Sequence, residues 1–78
     1  MPYIKKSIRE FLDNCQNPGN AGELNYLFTR LTHKYLKNNE SYQAYNDIIG
    51  ALEGCKLELY RKRTALYEDK KEKINGPI

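Results

Sequence analysis

A chain of 78 residues with a net charge of +3 is too short for more than one domain, and no apolar run approaches the ~20 residues of a membrane span. So short a chain buries only about 60% of its unfolded surface, and small domains of this kind lean on disulfides, a metal or self-association. A single histidine, His33, and two distant cysteines, Cys15 and Cys55, do not make a tetrahedral metal site, which leaves self-association.

The opening MPYIKKSIREF carries charges where a secretory signal needs an apolar run. The expectation is a cytoplasmic protein whose two thiols are reduced and buried. Three helices account for the pattern, with no strand-like alternation. The first covers about residues 3–15, with Pro2 as a tolerated opener and Ile4, Ile8, Phe11, Leu12 and Cys15 recurring on one side. The turn formers of NCQNPGNAG end it.

The second helix covers about residues 21–38. Asn20, with Glu23 three places on, resembles a capping box. Leu24, Leu27, Phe28, Leu31 and Tyr35 make its apolar stripe. Ser41 suits the N-cap of a third helix that runs to about residue 74, where Asn75-Gly76-Pro77 stops it. The expected fold is all-α: a short N-terminal helix plus an antiparallel helical hairpin with a long C-terminal helix, residues 1–78 forming one domain. A helix that outreaches its hairpin partner calls for another chain, so a homo-oligomer is expected.

Two glycines, Gly50 and Gly54, interrupt the third helix, each at roughly 0.5–1 kcal/mol relative to alanine. With Gly50 at zero and a step of about 100° per residue, Tyr45, Ile48, Leu52, Cys55, Leu59 and Leu66 fall between about 140° and 220°. That arc is the expected core stripe. Gly54, Asp47 and Arg61 lie within about 60° of Gly50 on the opposite side, and Ile49, Tyr60 and Tyr67 lie between the two. The glycines therefore open a second face, edged by Asp47, Glu53, Glu58 and Arg61. Its occupant is either a closely packed helix, by analogy with G-x-x-x-G crossings, or a flat ligand.

No nucleophile motif, phosphate-binding loop or dinucleotide fingerprint is present, so neither catalysis nor a cofactor is expected. His33 reads as a surface or packing residue. Seven tyrosines without a tryptophan supply stacking faces that carry a hydroxyl. Arg30, Arg61 and Arg63 are suited to bidentate phosphate contacts. The plainer reading of the tyrosines is the partly wet core of a small domain. The basic residues of the last third are interleaved with acids, which suits a solvated helix and makes a poor nucleic-acid track.

GELNYLFTRLTHKYL, SYQAYNDIIGALEGCKLELYRKR and YEDKK followed by NG together resemble a family of small uncharacterised proteins common in phages and prophages. The resemblance covers about residues 20–76 and implies no assigned activity. The chain departs from it at Pro77-Ile78, where the family continues NGDVY, and at Leu66, where a proline is usual. In architecture the chain is similar to phage helical-hairpin sponges of the anti-CBASS and anti-Thoeris type, which hold cyclic nucleotides or cyclic ADP-ribose variants between subunits. That similarity implies a non-enzymatic homo-oligomer that binds and sequesters a nucleotide-like immune signalling molecule at its subunit interfaces. Arg61, with Arg30 or Arg63, would hold phosphate, and Tyr60 or Tyr26 would stack on a base. Gly50 and Gly54 would admit the ligand, and Asp47 or Glu53 would take a ribose hydroxyl or base edge. The alternatives are a module that binds a host or phage protein and, third, non-specific nucleic-acid binding.

Overall fold

The computed structural model describes residues 3–78 and divides the chain into two compact units, one ending at Ala44 and one running from Tyr45 to Ile78. All regular structure among the described residues is helical.

In the first unit, α1 spans Lys6–Cys15. It starts three residues later than the apolar spacing suggests, because Lys5 offers no side-chain cap and holds an extended ψ of 142°. The Lys5 carbonyl opens the helix by accepting from the N–H groups of Ile8 and Arg9, both at 3.0 Å. Arg9 Nε donates to the Ile4 carbonyl at 2.9 Å, satisfying the strand of chain that leads in. Pro2, expected as the opener, lies outside the described residues. Gln16 ends α1 in the left-handed region (φ 52°, ψ 40°), its N–H donating to the Leu12 carbonyl at 2.8 Å.

The next helix, α2, spans Ala21–Leu36, and its start is the expected capping box moved back by one residue. Asn20 Oδ1 accepts from the Glu23 N–H at 2.9 Å. The Glu23 carboxylate reaches back past Asn20 to the Gly19 N–H at 2.8 Å, and also takes Asn20 Nδ2 at 3.2 Å. The far end closes two residues before the expected position 38. There Lys37 and Asn39 donate to the carbonyls three residues earlier, Lys34 and Leu36, in a tightened last turn.

Packing of α1 on α2 fully encloses Leu12; Ala44 is the other buried apolar residue of this unit. Phe11 and Cys15, expected on the same buried side as Leu12, are exposed. One ten-residue helix meeting one neighbour has room for a single central knob, and flanking positions stay at the margin.

The long helix comprises α3 (Tyr42–Leu59), a π-turn (Tyr60–Thr64) and α4 (Ala65–Asn75). Ser41 caps it as expected, its Oγ accepting from the Ala44 N–H at 3.0 Å. Gly76 stops it at φ 90°, a conformation that disfavours side chains, with its N–H on the Glu72 carbonyl at 2.7 Å. The expected core stripe is not buried: Ile48 is half-buried, while Tyr45, Leu52, Cys55, Leu59 and Leu66 are exposed. A unit made of one helix has no second layer against which to bury a stripe. Cys15 and Cys55 are both free, and both are exposed rather than buried.

The π-turn changes which residues share a face. The Ala65 N–H reaches the Tyr60 carbonyl, five residues back instead of four. The extra residue sets everything beyond it back by about 100°. Leu66 consequently leaves the stripe, at about 60°, whereas Tyr67 and Ile74 join it at about 160° and 140°. The hydrogen bond from Tyr60 Oη to Glu68 Oε1 at 3.1 Å reports the same shift. Residues eight apart stand about 80° from each other in an unbroken α-helix and about 20° apart across the insertion.

Candidate functional site

The residues expected to bind a ligand divide between the two units. Gly50, Gly54, Asp47, Glu53, Tyr60, Arg61 and Arg63 are on the long helix; Tyr26 and Arg30 are on α2.

On the long helix the glycine face is open. A Cβ placed on Gly50 or Gly54 meets no atom within 4 Å, so no neighbouring group among the described residues requires glycine there. The charged residues around it pair along the helix. Lys56 Nζ lies 3.1 Å from Glu53 Oε2, and Arg61 Nη2 lies 3.0 Å from Glu58 Oε2. Both pairs are three residues apart and exposed, a class whose contribution to stability is small. Arg61 thus has its guanidinium on Glu58, and an incoming phosphate competes with that carboxylate. Tyr60 is likewise engaged: its hydrogen bond to Glu68, together with the nearby negative charge, raises the phenol pKa above 10.0. Asp47 and Arg63 are exposed on the same helix, and Lys71 lies 5.7 Å above the Tyr67 ring, a loose cation–π contact.

In the first unit Tyr26 and Arg30 do come together, through a residue not anticipated from sequence. Asp13, near the end of α1, accepts from Tyr26 Oη at 2.7 Å, and its same Oδ1 lies 3.6 Å from Arg30 Nε. The hydrogen bond to Asp13 is the main reason that the Tyr26 phenol is also raised above 10.0. Tyr26 and Arg30 are four apart on α2 and present neighbouring side chains, but nothing in the spacing of Asp13, thirteen residues before Tyr26, marks it as their shared partner. Beside this cluster lies an open groove of about 380 Å³ with an apolar floor that includes Pro18, Phe28 and Leu31 and a polar edge of Asp13, Arg30 and Lys34.

Among the described residues no group of three or more His, Cys, Asp or Glu side chains is placed to hold a metal ion. No helix among them is long and apolar enough to cross a membrane. His33 is exposed on α2.

A family model described as a domain of unknown function, DUF6899, matches residues 1–78. The chain belongs to the DUF6899 family. No curated protein matches it, and no solved structure does. The match extends over the capping box of α2, the glycine face and the π-turn alike.

Proposed function

We propose that this DUF6899 protein is a non-enzymatic helical module that self-assembles through its long helix and holds a nucleotide-like ligand on the glycine face. The observation that carries the reading is the open surroundings of Gly50 and Gly54. Two glycines in mid-helix cost about 0.8–1 kcal/mol each relative to alanine, and no packing among the described residues offsets that. The close approach that explains them comes from outside the chain. On the opposite face the stripe through Leu52 (43% exposed), Leu59 (59%) and Tyr67 (61%) supplies the surface for assembly.

In this reading Arg61 exchanges Glu58 for a ligand phosphate, assisted by Arg63. Tyr60 stacks on a base, and Asp47 or Glu53 takes a ribose hydroxyl or base edge. The antiparallel hairpin of α2 with the long helix, an anti-defence sponge role, the phage context and a cytoplasmic setting belong to the same proposal; the free thiols of Cys15 and Cys55 suit the last. Tyr26 and Arg30, joined through Asp13, lie in the other unit and stand as the second candidates for the base and the phosphate.

Thermal-shift screening against cyclic dinucleotides, cyclic trinucleotides and ADP-ribose derivatives tests the ligand. A binder at 100 times its Kd adds about 2.7 kcal/mol of stability. The specific control is Gly54→Leu, whose Cβ meets no atom within 4 Å among the described residues. It is expected to preserve helicity and assembly and to abolish the ligand shift. No stabiliser across the panel refutes the nucleotide reading and turns attention to a protein partner. A strongly salt-dependent shift of a labelled oligonucleotide would instead favour nucleic acid.

A further inference from the structure

The long helix is electrically lopsided. In α3, the acids Asp47, Glu53 and Glu58 stand against Lys56 alone, a net charge of −2. From Tyr60 to Asn75, the bases Arg61, Lys62, Arg63, Lys70, Lys71 and Lys73 stand against Glu68, Asp69 and Glu72, a net charge of +3. The helix dipole favours acids at the start and bases at the end, but only within the first and last turns. Arg61, Lys62 and Arg63 sit in the π-turn, three turns before the end of the helix, so the dipole does not account for them.

Each half does, however, complement the other half of a second copy. The apolar stripe crosses both halves because the π-turn rotates Tyr67 and Ile74 into line with Leu52, Cys55 and Leu59. The three segments have 18, 5 and 11 residues, which gives a seam about 50 Å long at about 1.5 Å per residue. We infer that the long helix pairs with the long helix of a second copy of this chain in antiparallel orientation, the acidic half of each lying along the basic half of the other. This inference rests on the self-assembly just proposed and adds the partner's direction.

Antiparallel pairing also sets the two helix dipoles head to tail. Parallel in-register pairing sets the two net-negative halves side by side and the two net-positive halves side by side, and is disfavoured. Full overlap of the two helices brings Asp47 opposite the partner's Lys70 and Cys55 opposite the partner's Lys62. The two Cys55 thiols then stand about 10 Å apart along the axis, beyond the roughly 7 Å between Cα atoms that a disulfide spans. In the parallel alternative they stand at the same height.

Cysteine cross-linking therefore reads the direction. The protein is prepared as Cys15→Ser, oxidised under mild conditions and mapped by mass spectrometry of non-reduced peptides, with and without Lys62→Cys. Light scattering of the reduced samples reports assembly independently. The expected result is an oligomer in which Cys15→Ser alone yields no Cys55–Cys55 bridge, while addition of Lys62→Cys yields an intermolecular bridge between positions 55 and 62. The two positions are also about 10 Å apart within one helix, so that bridge arises only between chains. An oligomer that bridges Cys55 to Cys55, or that fails to bridge 55 to 62, overturns the antiparallel arrangement and leaves assembly standing. A monomer at high micromolar concentration overturns both.

Discussion

Replacing Asn20 by alanine tests the start of α2 at a single contact. The wild-type side chain accepts the Glu23 N–H at 2.9 Å and donates to the Glu23 carboxylate at 3.2 Å. Alanine removes both, while the Gly19 N–H keeps its own bond to Glu23 at 2.8 Å. The N-cap acceptor is the larger loss, because the Glu23 amide is one of the four first-turn donors with no partner inside the helix. A loss of this kind costs typically about 1 kcal/mol, within a range of 0.5–2, whereas glycine at the same position costs only a few tenths. For a domain of this size about 1 kcal/mol corresponds to a Tm lower by roughly 4–8 °C. Amide hydrogen exchange resolves the effect locally. The Glu23 amide of Asn20→Ala should exchange about fivefold to tenfold faster than in the wild type, with amides of the long helix unchanged. Equal protection in the wild type, Asn20→Ala and Asn20→Gly would show that the capping box contributes nothing and refute the reasoning.

Three further outcomes follow from the same geometry. Gln16→Gly relieves a left-handed residue at the end of α1 and should stabilise the first unit by about 0.5–1 kcal/mol in denaturant titration; a destabilised variant counts against that account of the turn. Because the bond to Asp13 raises the Tyr26 pKa in the folded chain, the unfolded chain loses this proton first as pH climbs past about 10. Stability from this contact is therefore complete below pH 10 and declines as pH rises through the raised folded value. The difference in unfolding free energy between wild type and Tyr26→Phe should shrink over that window, and a difference independent of pH contradicts it. Deleting Lys62 removes the inserted residue of the π-turn. Far-ultraviolet circular dichroism should stay unchanged and the Tyr60 phenol, read by carbon NMR, should stay raised, because Tyr60 and Glu68 then stand seven positions apart in a regular α-helix, about 20° from each other; a phenol that returns toward 10.0 shows that the π-turn is not what absorbs the extra residue.

The sequence by itself determined what is settled within a few residues of chain. The Asn20 cap, the Ser41 cap and the Gly76 stop were all legible, because each is a hydrogen bond or dihedral requirement spanning three or four positions. The helical class was legible for the same reason, as a period of apolar residues. The tertiary structure decided the rest. The hydrogen bond from Tyr26 and the ion pair from Arg30 meet on Asp13 across a turn, and no local spacing encodes that meeting. Leu12 alone of its stripe is enclosed, since burial depends on what lies opposite and not on periodicity. The π-turn carries no residue signature in YRKRT, yet it carries Leu66 off the long stripe and brings Tyr67 and Ile74 onto it. A helical wheel assumes one angle per residue, and a single backbone bond drawn from Ala65 to Tyr60 is enough to invalidate that assumption for everything beyond it.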